Sequence, residues 1–354
     1  MKEVRNMRIS FWSKILAVVA ILVMAGGGLG QTAYAGVSLN GAGATFPYPL
    51  YSKWFFEYNK LHPDIQINYQ SIGSGGGIRQ ITEKTVDFGA SDGAMSDEQL
   101  SKAPGLLHIP MVAGAEAIVY NVPGIDQGLR LTPDILSDIY LGNLTDWDDP
   151  RIAGANPGVT LQAIKIIVVH RSDGSGTTNI FTKYLSAVSK TWADKVGAGI
   201  AVNWPTGLGG KGNEGVAGLV KQIPGSVGYV ELAYALQNKL NYALLQNQAG
   251  KFLPPSLEGT TAAMAEALKA KAIPSDTRSY FVNSPGEKSY PIVGFTWLLV
   301  YQRQTDATKG QILVDYLNWA IHDGQKYATD LKYAPLAPEV VKLDEQVIKS
   351  IQVG

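Results

Sequence analysis

Four short segments of this chain combine glycine with small hydroxyl or acidic residues, and one of them adds a fixed positive charge. The run Arg171-Ser172-Asp173-Gly174-Ser175-Gly176-Thr177 follows the apolar stretch Ile164–Val169, which reads as a buried strand. Asn179 to Leu185 then reads as a helix. A Gly/Ser/Thr loop that opens a helix presents unpaired N–H groups at the positive end of the helix dipole. The planar guanidinium of Arg171 adds paired donors suited to an oxyanion. The chemistry on offer is anion binding.

The other three segments repeat the pattern. Gly41-Ala42-Gly43-Ala44-Thr45-Phe46-Pro47 leads into a helix, and Gly73-Ser74-Gly75-Gly76-Gly77 follows the strand Ile65–Tyr69 and opens a helix at Ile78. Asp87-Phe88-Gly89-Ala90-Ser91-Asp92 reads as a short strand ending on a carboxylate. Strand, glycine loop and helix in that order bring helix N-termini to the carboxyl end of a sheet. Each segment also has a plainer reading. Thr45 could cap a helix begun by Pro47, Asp92 could cap the turn before Ser96, and Arg171 with Asp173 could be a weak exposed pair.

The elements that must position these residues alternate between strand-like and helix-like, which predicts an α/β architecture. Leu50, Trp54, Phe55, Tyr58 and Leu61 share one face of a helix after Pro47. Ser96 to Gln99 forms a capping box, and Thr132-Pro133 reads as N-cap and N1. Ala117–Tyr120, Val227–Val230 and Thr296–Val300 are further strands. A late helix carries Ile312, Leu313, Tyr316, Leu317, Ala320 and Ile321, with Gly324 as its expected stop. Between Gly250 and Pro291 only an Ala-rich helix, Thr260–Ala272, is readable, and no function attaches to it.

Lys2, Arg5, Arg8 and Lys14, the apolar stretch Ile15–Met24 and Ala33-Tyr34-Ala35 have the pattern of an export signal over residues 1–35. The mature chain is then expected to begin at Gly36. Without those four basic residues and Glu3, 26 basic residues face 29 acidic ones. That balance gives no footprint for nucleic acid or an anionic membrane, so local donors must hold any anion. The chain has no cysteine, which excludes disulfides, Cys-ligated metal and a lipid-modified cysteine anchor.

The segments GAGATFP, IGSGGG, VDFGASD, RSDGSGT, Trp204–Asn213 and Ile223–Tyr229 occur together in one order. In this the chain resembles the periplasmic phosphate-binding proteins of phosphate-specific ABC transporters. The resemblance runs from about Ser38 to the C-terminal region and is weakest over Gly250–Pro291. It implies a two-lobed α/β periplasmic binding protein fold, with the ligand cleft between lobes and two interlobe crossovers. Residues 36–112 and 291–354 would form lobe I, and 113–290 lobe II. The resemblance further implies high-affinity binding of inorganic phosphate in the periplasm and delivery to the permease subunits of an inner-membrane ABC importer. A monomer with no cofactor, no metal and no catalytic role is expected.

By motif match, Thr45, Phe46, Ser74 and Asp92 would line one wall, and Arg171, Ser175, Gly176 and Thr177 the other. Asp173 would hold the Arg171 fork. Phe46 and Gly176 offer only backbone N–H groups for this purpose. Related sequences often carry a second serine where this chain has Gly75. Asp92 has the most selective chemistry, because a carboxylate beside an anion repels it unless the anion has a proton to donate. Phosphate keeps one near neutral pH and sulfate does not.

Other classes fit less well. Gly207–Gly212 satisfies G-x-G-x-x-G, but no ribose-binding acid follows at the right distance, and Gly212 stands where a Walker A loop needs Ser or Thr. Neither Ser74 nor Ser175 lies in G-x-S-x-G. His62, His108, His170 and His322 lack metal-ligand spacing to one another, and His170 and Arg171 should point to opposite faces of a strand. A phosphate-ester hydrolase, or a binding protein for arsenate or sulfate, are the alternatives.

Overall fold

Two nearly unbroken apolar runs, Leu106–Asn121 and Val293–Tyr301, form the centre of a nine-stranded sheet. Strands this apolar must be covered on both faces, and nearly every residue of both is buried. The computed structural model describes residues 36–271 and 273–354. The expected export signal at 1–35 lies outside the described residues.

We label the principal strands β1 (Val37–Gly43), β2 (Ile65–Ser71), β3 (Phe88–Ser91), β4 (Leu106–Asn121), β5 (Ile167–Arg171), β6 (Leu208–Gly210), β7 (Ser226–Glu231) and β8 (Val293–Tyr301). Their order is β2-β1-β3-β8-β4-β7-β5-β6. Each end of the sheet is a parallel trio: β2, β1 and β3 at one end, β7, β5 and β6 at the other. The antiparallel strands β8 and β4 join them. Strand β4 pairs with β8 up to Ala115 and with β7 from Glu116 onward, so it exchanges partners mid-length. This is a two-lobed α/β fold in which the chain crosses between lobes twice.

Helices α1 (Tyr48–Leu61), α2 (Ser74–Thr82), α3 (Gly176–Val188) and α4 (Gly212–Gln222) each follow a strand of a parallel trio. Helix α1 buries Leu50, Tyr51, Trp54, Phe55 and Tyr58. The expected fifth contact fails: Leu61, the last residue of the helix, is 62% exposed. The capping box at Ser96 and the Thr132 cap form as the sequence predicts.

Several boundaries move. Strand β5 begins at Ile167 rather than Ile164, since only Ile167 and Val168 reach β7 in register. The late helix Ala307–Ile321 stops before Gly324, whose carbonyl instead accepts a hydrogen bond from the Trp54 indole at 2.7 Å. The helix expected at 260–272 runs Leu257–Lys269, capped by Ser256. Among the described residues, no helix is long and apolar enough to cross a membrane.

Candidate functional site

Both glycine-rich segments are tighter than the sequence suggests, because Gly75, Gly76, Gly77 and Gly176 lie inside helices rather than before them. Helix α2 starts at Ser74, so Gly75, Gly76 and Gly77 form its first turn. Helix α3 starts at Gly176, with Ser175 as N-cap accepting from the Thr178 amide at 3.0 Å. Glycine is required where helix and sheet meet this closely. A β-carbon on Gly77 would stand 2.6 Å from the Ala90 carbonyl oxygen, and one on Gly176 2.5 Å from the Asp92 side chain.

The two helix starts meet. The Gly176 amide donates to Ser74 Oγ at 3.0 Å, and the Gly75 amide donates to the Gly174 carbonyl at 2.8 Å. Asp92, one residue beyond β3, donates its amide to the same Ser74 Oγ at 3.2 Å. Arg171, the last residue of β5, is buried, and its fork is held by Asp173 at 2.8 and 2.6 Å. Asp173 also accepts from the Gly212 amide at 3.0 Å. Burial works against the Arg171 charge, but Asp173 more than offsets it and raises the guanidinium pKa. The weak-surface-pair reading of Arg171 and Asp173 does not hold.

The hydroxyl protons are oriented by what each oxygen already accepts. A hydroxyl has one proton and two acceptor positions. Thr45 Oγ1 accepts from the Asn213 side-chain amide at 2.7 Å and its backbone amide at 3.2 Å. Thr177 Oγ1 accepts from Arg171 Nη1 and from Asn213 Nδ2, both at 3.2 Å. Ser74 Oγ accepts from two backbone amides. The Thr45 and Thr177 hydroxyls are left with a proton to give, whereas Ser74 Oγ directs its proton to Asp92 Oδ2. The buried amides of Phe46, Ser74 and Thr177 have no partner among the described residues. Thr45 caps nothing: Pro47 holds the cap position of α1 and makes no side-chain cap bond.

Against this set of donors stands one carboxylate at its centre. Burial pushes the Asp92 carboxyl up to about 7, against the pull of the Thr296 hydroxyl, the Arg171 charge and Ser74. Its Oδ1 has no hydrogen-bond partner among the described residues, and its Oδ2 lies 3.4 Å from Ser74 Oγ.

All the expected lining residues and Asp173 therefore lie in or beside one buried polar cluster at the carboxyl ends of the parallel trios. The solved structures and curated relatives that the chain matches bear on what this arrangement is. Residues 30–323 match the PBP superfamily domain. A phosphate-binding protein PstS of Xylella fastidiosa (strain Temecula1) is 48% identical over 307 residues, covering 86% of this chain and 83% of that protein. The chain belongs to the PBP superfamily, in its PstS family. A PstS of Methanocaldococcus jannaschii is 41% identical over 361 residues, covering 95% and 91% of the two chains. A high affinity periplasmic phosphate-binding protein solved with phosphate has the same fold, with TM-score 0.69 at 21% identity over 90% of this chain and 96% of that one.

Four contributors in this PstS-family chain escape sequence reading. Asn213 is fully buried at the start of α4, between Thr45 and Thr177. Tyr234 and Tyr333 donate to the carbonyls of Thr45 and Phe46, both at 2.6 Å. Glu231, paired opposite Glu116 where β4 changes partners, is buried beside Tyr333. Burial raises both glutamates well above the usual carboxylate range. The segment Trp204–Asn213 carries the only signal for Asn213, as part of a motif whose loop reads as merely supportive.

His170 stacks on Trp204 with ring centroids 4.8 Å apart, on the opposite face of β5 from Arg171, as alternation requires. His108 Nε2 accepts from the Met95 amide at 3.1 Å, so it serves the loop after Asp92. Both serine oxygens accept backbone N–H bonds, and Ser74 Oγ in addition donates to Asp92 Oδ2.

Proposed function

We propose that this chain binds inorganic phosphate between its two lobes and delivers it to the permease subunits of an ABC importer. The observation that carries the reading is the set of donors around a single buried acceptor. Hydroxyls of Thr45, Ser175 and Thr177, amides of Phe46, Ser74 and Thr177, and the Arg171 fork would hold the phosphate oxygens. The Gly176 amide and the Ser74 hydroxyl, which here bond to Ser74 Oγ and Asp92 Oδ2, would have to turn from those partners to join them. Asp92 would accept the proton that phosphate retains. A buried dianion without such partners is very costly, and water exclusion strengthens every donor.

The lobe division we infer is 36–112 with 291–354, and 113–290. The exchange of partners at Ala115 and Glu116 in β4 supports a crossing near the first boundary. We further propose that the chain works in the periplasm as a monomer that binds no nucleic acid, and that it carries no catalytic activity. The relatives' names as phosphate-binding proteins support a binding role, and the charge balance of residues 36–354 speaks against nucleic acid.

Calorimetric titration with phosphate and with sulfate tests the reading. Tight, stoichiometric phosphate binding that millimolar sulfate does not displace is the expected result. Displacement of phosphate by sulfate would remove the role given to Asp92. Phosphate release from a chromogenic ester by pure protein would favour the hydrolase instead.

A further inference from the structure

We propose that Asn213 is a positioning residue that fixes the proton direction of two hydroxyls in the cleft, those of Thr45 and Thr177. The inference rests on the phosphate reading and deepens it.

The orientation of the Asn213 amide is not free. Its Oδ1 accepts from the Glu231 amide at 2.9 Å, and a backbone N–H can only donate. The Nδ2 end must therefore face the cleft, where it has two hydrogens and two hydroxyl partners, Thr45 Oγ1 at 2.7 Å and Thr177 Oγ1 at 3.2 Å. Both threonines have a second donor already in place: the Asn213 backbone amide for Thr45, and Arg171 Nη1 for Thr177. With both acceptor positions taken, neither hydroxyl can turn its proton toward the protein. An anion then meets two donors set in advance, with no cost for turning them over.

The side chain also spans the sheet. Thr45 follows β1 in one parallel trio, whereas Asn213 and Thr177 belong to helices of the other. One planar amide thus sets donors on both sides of the cleft. Asn213 is fully buried, and both hydrogens of its Nδ2 are given to these hydroxyls. A donor lacking hydrogen-bonding competition from the protein is the arrangement that preorganised anion sites use.

Isothermal titration with inorganic phosphate tests this in a cycle of variants. Wild type, Asn213→Ala, the double variant Thr45→Val/Thr177→Val and the triple variant are compared. In wild-type threonine context, Asn213→Ala should weaken phosphate binding roughly 10- to 100-fold. In the valine context the same change should cost less than about threefold, because there are no hydroxyls left to orient. Equal losses in both contexts would mean Asn213 acts only on the general structure and would overturn the proposal, as would no loss in either. Wild type failing to bind phosphate would instead overturn the function on which the proposal rests. Asn213→Ser covers the case in which alanine does not fold: its single hydroxyl can serve one threonine, so an intermediate loss is expected and unchanged affinity overturns the proposal.

Discussion

The amide of Gly75 donates to the carbonyl of Gly174 across 2.8 Å, a backbone bond between the first turn of one helix and the loop before another. The bond joins the two ends of the sheet with no side chain between them. A β-carbon on Gly75 would stand 3.1 Å from the Gly174 α-carbon, and one on Gly174 3.0 Å from the Gly75 α-carbon. The approach of the two lobes is limited here by backbone alone.

Gly75→Val should therefore hold the lobes apart. Overpacking of this kind costs about 1–3 kcal/mol, which lowers phosphate affinity roughly 5- to 150-fold. The melting temperature without phosphate should barely move, since the contact belongs to closure. Calorimetry and thermal melts together check this; equal affinity in the variant would show that closure does not use the contact.

Gly73→Ala should be harsher for a different reason. Gly73 has φ +87°, a conformation that side chains disfavour, and its β-carbon would stand 2.3 Å from Asp173 Oδ2. The substitution strains α2 and displaces the carboxylate that holds Arg171. Both stability and phosphate affinity should fall, unlike at Gly75. A variant that loses neither would contradict this contact.

Asp173→Ala leaves the buried Arg171 charge without its partner. Breaking a buried pair costs about 3–5 kcal/mol, and the 13% exposure of the Asp173 side chain places the loss at the low end. Phosphate brings a replacement counter-charge. The drop in melting temperature should thus be large without phosphate and much smaller with it. Scanning fluorimetry in both buffers decides, and an equal drop in the two would count against Arg171 facing the anion.

Asp92 gives a pH signature of definite sign. Its folded pKa, about 7, lies above the usual value of 3.8, so the folded state keeps a proton that the unfolded chain releases. Stability from this source is complete below the usual value and is lost as pH rises toward 7. Glu116 and Glu231, raised by burial, slope the same way. Comparison with Asp92→Asn isolates one group: the variant should gain on wild type between about pH 4 and 7 in phosphate-free urea titrations. Parallel curves would mean Asp92 titrates normally.

The same substitution should relax selectivity. The amide that replaces the carboxylate in Asp92→Asn could donate where the carboxylate repels, so sulfate should begin to compete with phosphate at millimolar concentration. Competition calorimetry reads this directly. Continued exclusion of sulfate would shift the selectivity to some other group.

The legible part of the site follows chemistry that is local in sequence. Ser74, Asp92 and Arg171–Thr177 lie at strand ends within glycine-rich runs, and Asp173 is two residues from the arginine it holds. The unread part is long-range. Asn213 meets Thr45 over 168 positions, and Tyr333 meets Phe46 over 287. An asparagine after a glycine reads as an ordinary loop residue, and a tyrosine near the C-terminus as core. Only the sheet order brings them to the cleft. Helix starts shift for a related reason: glycine reads as a loop residue, whereas here close packing against Ala90 and Asp92 selects it within a helix.

The place of β8 in the sheet has a consequence for the order of events during synthesis. Residues 293–301 complete the sheet begun by β1, β2 and β3 and are the direct neighbour of β3. The amino-terminal lobe thus lacks a central strand until most of the chain has been translated. Pairings this distant are slow to form, and a nascent chain without them cannot bury its apolar face. The strand at the middle of the sheet is thus the last of its members to be made.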